Sequence, residues 1–219
     1  MRVLFLGGAT SILGRACYAW LRNLPNVDVS DYVTDLVTDP SGWDVGVSVM
    51  YPHIIRPAVL EILPIANVHT GFLPWNRGKH PNVWPIIDGT PAGATLHWMD
   101  ATVDTGDIMA RIPVPVEPWD TAHTLYRKLE DAALDLFCAN WWLVEGFSKG
   151  VPQRGLGAGS LHYAKELPGV TLDLDGRLPV RETLAILRAR SFPGYPGVRF
   201  TEDGKTWEVT VNCQEVHGD

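Results

Sequence analysis

The chain has 219 residues, 46% of them hydrophobic and 20% charged, which suits one globular unit with a substantial core and room for a small appendage. A formal net charge of −7 and the lack of a basic stripe exclude a protein that binds nucleic acid by neutralising phosphates. Cys17, Cys138 and Cys213 are odd in number and far apart, which excludes a disulfide framework or a compact zinc knuckle.

In chain order, Arg2 to Leu6 reads as a buried strand, too short for a secretory core or a membrane span. The expectation is therefore an untargeted cytoplasmic protein with no membrane contact. Gly7-Gly8 ends the strand, and Ile12 to Leu24 follows with helical periodicity. Val27 to Val37 reads as a weak second strand and Asp44 to Met50, with Val45, Val47 and Val49 alternating, as a third. Pro57 to Leu63 is a short helix opened by proline, and Ile65 to His69 a fourth strand. The Pro/Gly-rich loop Gly71 to Pro81 leads to a short helix near Val83 to Asp88. Thr95 to Met99 and Ile108 to Val116 are strands joined by the loop Asp100 to Asp107. Thr121 to Phe147 is one long helix with Asp120 or Thr121 at its N-cap. The glycine-rich stretch Lys149 to Gly169 is a linker or ordered loop. Leu178 to Arg190 is amphipathic, and Asp203-Gly204 between Phe200 and Trp207 signals a hairpin.

Strands alternating with helices predict an α/β fold with a doubly wound, mostly parallel sheet across 1–150, and a small helix-plus-hairpin appendage in 151–219. In such sheets ligands bind beyond the carboxyl ends of the strands. Met50-Tyr51 and Asn67–His69 would share that edge.

Four chemistries compete for the polar residues. The turn Gly7-Gly8-Ala9-Thr10-Ser11-Ile12-Leu13-Gly14 could bring a phosphate to a helix N-terminus, serve a nicotinamide dinucleotide, or be a structural turn. Asp104-Thr105-Gly106 matches the aspartic-protease triplet, but that chemistry needs two such carboxylates and one copy is present. His69, His80, His97 and Asp104 could ligate a metal, yet their spacing fits no compact signature, so no metal is expected. The fourth reading is acyl transfer. Asn67 and His69 alternate along one strand and share a face. Asn67 can donate to an oxyanion, His69 can transfer a proton, and Asp104 can hold the imidazole. His97 is either a further reactive group or a brace for the Asp104 loop.

Asn67-Val68-His69, Phe72-Leu73-Pro74, Arg77-Gly78, Gly93 to His97 and Asp104-Thr105-Gly106-Asp107-Ile108 together resemble the formyltransferase-fold family, which uses N10-formyltetrahydrofolate. The resemblance implies a Rossmann-like formyltransferase fold and a catalytic Asn67–His69–Asp104 triad. It implies a formyl-donor site along Tyr51, His53, Ile54, Ile55, Asp100, Ala101, Thr102 and Val103, contacted largely through the backbone. The turn Leu73 to Asn82 and the stretch Ser191 to Gly197 are most similar to formyltransferases of nucleotide-linked amino sugars. That branch implies a sugar-nucleotide amine as substrate, with Asn76 and Asn82 of the similar turn as contacts. Gly8 and Thr10 would join them where the first turn takes a phosphate, and Arg77 and Lys79, in the exposed loop, are either phosphate contacts or solvated charges. The Trp141-Trp142 pair and the hairpin tail suggest a homodimer. Another small amine, hydrolysis of the formyl-folate, and a non-catalytic folate- or nucleotide-binding module remain open.

Overall fold

The computed structural model describes residues 1–167 and 171–216. The end of the expected linker, 168–169, and the last residues of the appendage, 217–219, lie outside the described residues. Strands β1 (Arg2–Gly7), β3 (Val45–Val49) and β4 (Ile65–His69) are buried along nearly their whole length, as apolar central strands must be. With β2 (Asp28–Val29), β6 (Ala92–Trp98) and β7 (Ile108–Val114) they form a six-stranded sheet in the order β2-β1-β3-β4-β6-β7. Neighbours from β2 to β4 pair in parallel, whereas β6 runs antiparallel to both β4 and β7. The mostly parallel α/β fold expected from the sequence is thus observed, with β6 alone in the sheet running against the rest.

The two faces of the sheet are covered differently. Val3, Phe5, Val47, Ala66, Val68, Ala94 and Leu96 meet helices α1 (Ile12–Arg22) and α4 (Ala122–Glu145) in the main core. Leu4, Leu6 and Ile65 face the other way, toward α2 (Pro57–Leu60). Helix α4 starts where a threonine can cap it: Thr121 Oγ accepts from Thr124 N–H, and Thr124 Oγ accepts from Thr121 N–H (2.9 Å). Trp141 is buried in the core, but Trp142, one position on, is 63% exposed.

The expected second strand, Val27 to Val37, is corrected to the two residues of β2. The buried Ser30 hydroxyl accepts from Phe5 N–H (3.0 Å), so a side chain takes over where the strand ladder would continue. The chain then turns inward and Tyr32 lies over the Gly7-Gly8 turn, its hydroxyl donating to Gly8 O (2.9 Å). A Cβ on Gly7 would lie 2.2 Å from the Tyr32 ring, and one on Gly14 2.4 Å from its hydroxyl. Close approach of a tyrosine accounts for these two glycines.

Beyond the sheet, β5 (Arg77–Gly78) pairs in parallel with β8 (Leu161–His162), a contact between two segments expected to be loops. Helix α3 (Trp84–Asp88) packs near α5 (Val180–Ala189). The predicted hairpin forms as β9 (Val198–Glu202) and β10 (Lys205–Val209), with Trp207 opposite Phe200. Asp203 and Gly204 both have positive φ (50° and 71°), as a two-residue hairpin turn of this kind demands.

Replacing Gly7 by alanine is expected to destabilise the chain by ~1–3 kcal/mol through overpacking against Tyr32. Tyr32→Leu in the same chain should recover part of that loss in a urea titration. Equal midpoints for wild type and Gly7→Ala would contradict the packing described.

Candidate active site

Alternation along β4 sends Ala66 and Val68 into the main core and Asn67 and His69 to the opposite face. Antiparallel pairing sets His97 directly across from Asn67, and Thr95 across from His69. One patch of the sheet therefore carries four polar side chains, with the buried Ser48 of β3 paired beside Asn67. The loop that follows β4 folds over this patch. Thr95 Oγ donates to Gly71 O (2.7 Å) and accepts from Leu73 N–H (3.1 Å). Arg111 donates to Leu73 O (2.7 Å) and lies over the Phe72 ring. The Leu73–Pro74 peptide is cis.

The protons in the patch follow from what each partner can accept. His97 Nδ1 lies 2.8 Å from Trp98 O, which can only accept, so Nδ1 carries a hydrogen. Burial drives the His97 pKa down to about 4, and the nearby Asp104 only partly opposes it. The ring is therefore neutral near pH 7, and its Nε2 accepts from Asn67 Nδ2 (3.1 Å). A carboxamide nitrogen has two hydrogens, so Asn67 keeps a second N–H. His69 Nε2 in turn donates to Asn76 O (3.0 Å), which leaves Nδ1 toward Asp104 Oδ2 at 3.8 Å. Asp104 Oδ1 lies 3.7 Å from His97 Nε2. The carboxylate thus sits between two imidazoles without a direct hydrogen bond to either. Its Oδ2 accepts from Gly78 N–H (2.8 Å). Burial works to raise the Asp104 pKa, but His69, His97, the Gly78 N–H and Arg77 together outweigh it and hold the group below its ordinary value.

Asn67, His69 and Asp104 come together as the sequence suggests, and His97 joins them through Asn67. Several of the expected substrate contacts make bonds within the protein. Asn76 is fully buried, and its side chain donates to Pro91 O and accepts from Thr90 Oγ, which builds the turn. Asn82 is buried and donates to Ala122 O, tying the loop to α4. Gly8 is occupied by Tyr32 and by its own bond to Val49 O, while Thr10 stands exposed at the turn. Arg77 lines a cavity of about 500 Å³ with Thr105, Asp107, Gln153 and Arg154, and Lys79 is exposed nearby in sequence.

Tyr51 and Ile55 of the first expected donor loop pack in one cluster with Met99, the residue just before the second. Tyr51 donates to Asp35 O and accepts from Val37 N–H, and His53 hydrogen-bonds Thr34 O, so both side chains are turned toward the 34–37 segment. Ile55 is a core residue, whereas Ile54 and Val103 are 84% and 45% exposed. Asp100 Oδ1 accepts from the Thr102 N–H and hydroxyl and from Thr105, and Ala101 is exposed between them. Residues that sequence reasoning missed include Thr95, Gln153 and Ser160. Gln153 Nε2 donates to Asp104 O and Gly106 O, and Ser160 Oγ accepts from Asn76 N–H. Among the described residues there is no cluster of metal-ligating side chains and no helix long and apolar enough to cross a membrane.

The Formyl transferase family model matches residues 25–140, and the model of the N-formyltransferase dimerization C-terminal domain matches 170–215. The chain belongs to the formyltransferase family. It is 34% identical over 116 residues to dTDP-4-amino-4,6-dideoxyglucose formyltransferase of Mycobacterium tuberculosis. That match covers 53% of this chain and 48% of the relative, so it spans about half the relative's length. A 4-N formyltransferase from Francisella tularensis shares the fold, with a TM-score of 0.86, 22% identity and 98% of each chain covered. A formyltransferase from Anoxybacillus kamchatkensis, solved with UDP-4,6-dideoxy-4-formamido-L-AltNAc and tetrahydrofolate, superposes with a TM-score of 0.65 at 28% identity, covering 75% of this chain and 87% of that one.

The neutral His97 makes a prediction about acid stability. In the unfolded chain its pKa takes the ordinary value of about 6.5. Between that value and about 4 the unfolded chain binds a proton that the native ring refuses. Stability should therefore fall as pH drops through this window, by up to ~3 kcal/mol from this group, with no further loss from it below. Urea unfolding across pH should give a flatter acid limb for His97→Gln than for wild type. Parallel curves would contradict a buried neutral ring.

Proposed function

We propose that the chain transfers a formyl group from N10-formyltetrahydrofolate to the amine of a nucleotide-linked amino sugar. The observation that carries this reading is the second N–H of Asn67, left open by its bond to a neutral His97, beside His69 and an ionised Asp104. The donor, held along Tyr51 to Ile55 and Asp100 to Val103, supplies an activated formyl carbon. In the transfer a bond forms between the amine nitrogen and that carbon, and the bond from the carbon to the donor nitrogen breaks. The amine gives up one proton and the donor nitrogen gains one.

Asn67 meets the charge that develops on the formyl oxygen with an N–H fixed in advance, which avoids reorganisation at the moment of reaction. With Nε2–H committed to Asn76 O, His69 Nδ1 is the nitrogen that takes up and returns a proton. Asp104 stabilises the charged imidazole and is itself kept ionised by the groups around it. Arg77 and Arg154, on the cavity beside Thr105, are suited to the substrate's diphosphate. The relatives' substrates, dTDP- and UDP-linked sugars, support this substrate class.

The catalytic unit extends, on this reading, beyond residue 150 to His162, because 151–162 packs into the site. The remainder, matched over 170–215 by a dimerization model, would join two copies as a homodimer. Free Cys17, Cys138 and Cys213 suit a cytoplasmic enzyme.

Intact-mass measurement of a panel of nucleotide amino sugars and other amines, incubated with formyltetrahydrofolate, tests the reaction. A formyl mass gain on a sugar nucleotide is expected. Asn67→Ala, His69→Ala and Asp104→Ala should each slow it by ~100-fold or more while the fold persists. Folate turnover without a modified amine would point to hydrolysis, and undiminished transfer by His69→Ala would refute the mechanism. Arg77→Ala and Arg154→Ala should raise KM for the sugar nucleotide ~10-fold, because a phosphate contact is lost, with a smaller change in kcat.

A further inference from the structure

One short segment ties together the two loops that carry the site. At its start, Val151 and Ile108 exchange backbone hydrogen bonds (2.8 and 2.9 Å). Two residues on, Gln153 gives both N–H bonds of its carboxamide away, to Asp104 O and Gly106 O, each at 2.9 Å. At its end, Ser160 Oγ accepts from Asn76 N–H (2.8 Å), Ser160 O accepts from Arg77 N–H (3.0 Å), and β8 pairs with β5. Gly159 within it serves close approach: a Cβ there would lie 2.6 Å from Pro74 O.

The residues it holds need holding. Asp104 and Asn76 have φ of 52° and 59°, a left-handed conformation that costs an L-residue roughly 1 kcal/mol or more and persists only where the surroundings enforce it. Asn76 O is the acceptor that orients His69, and the N–H that reaches the Asp104 carboxylate comes from Gly78, in the strand that β8 pairs. Both hydrogen-bonded holds on Asp104, at its carbonyl and at its carboxylate, lead back to the same segment. Gln153 Oε1 is meanwhile buried without a partner. An orphaned acceptor costs ~1–3 kcal/mol, a cost an apolar residue of similar shape would avoid. What the carboxamide does for the two loop carbonyls therefore explains the glutamine better than packing does. Both residues fall outside the stretches matched by the family models, 25–140 and 170–215.

We propose that 151–162 is a positioning strap, in which Gln153 sets the loop conformation that aims the Asp104 carboxylate and Ser160 sets the turn whose carbonyl aims His69. The proposal rests on the formyl-transfer reading and adds two positioning residues that act through Asp104 and His69.

Steady-state kinetics of near-isosteric variants test it. Gln153→Met should lower kcat by ~10-fold or more, because a small misplacement of a reacting group is costly. In an Asp104→Asn background the same change should cost less than ~2-fold, since the residue it positions is already disabled. Ser160→Ala should also slow turnover, and Ser160→Thr, which keeps the hydroxyl, should restore most of it. A full additional loss in the Asp104→Asn background, or a raised KM with unchanged kcat, would overturn the proposal. Should the wild-type chain formylate no amine, it is the activity reading that fails. Hydrogen exchange at the Gly78 amide then judges the strap by itself. Faster exchange in Gln153→Met, with β1 and β3 amides unchanged, supports it; unchanged exchange at Gly78 overturns it.

Discussion

The hydrogen bond from Asn67 to His97 is the interaction from which the rest of the site follows. It exists because β6 runs antiparallel to β4 in register, so the two residues stand directly opposite on one face. An imidazole with no access to water and one side tied to a backbone carbonyl can offer only a lone pair on the other. That lone pair orients the Asn67 carboxamide with its nitrogen inward, and the second N–H of that nitrogen becomes a fixed donor. The antiparallel strand in an otherwise parallel sheet is thus the feature that makes a flexible carboxamide into a directed one.

A polar patch on a buried sheet is costly unless every group finds a partner. Here the covering loop supplies them. Gly71 O and Leu73 N–H satisfy Thr95, Asn76 O satisfies His69, and Gly78 N–H satisfies Asp104. The same loop closes over the chemistry, so solvation of the patch and definition of the site are one problem with one solution. The price is local strain at Asn76 and Asp104, which the glycine-rich segment after α4 helps to hold in place.

Much of this was legible in the sequence because it depends on short-range periodicity. The alternation of β4 put Asn67 and His69 on one face, Thr121 marked the start of α4, and Asp203-Gly204 marked the hairpin. What escaped depends on contacts between distant residues. Gln153 lies 49 residues from Asp104, and Ser160 lies 84 from Asn76, with no local pattern to link them. The resemblance offered Asn76 and Asn82 as substrate contacts; both side chains are buried in internal hydrogen bonds that no local pattern announces. The turn from Gly7 to Gly14 stayed open to a phosphate, a dinucleotide or a purely structural reading, because nothing local announces that Tyr32 packs against it. The long second strand failed for a related reason, since Ser30 replaces the ladder with a side-chain acceptor.

The central claim is that Asn67 presents an N–H, not an oxygen, to the reacting group, and this depends on which nitrogen of His97 carries the hydrogen. Long-range proton–nitrogen NMR spectra of the histidine-labelled protein, recorded at neutral pH and followed toward pH 5, measure that directly. The account predicts a His97 ring that stays neutral across this range, protonated at Nδ1, with its bare Nε2 bonded to the Asn67 amide. A ring protonated at Nε2, alone or as the cation, would turn the Asn67 oxygen inward and contradict the account.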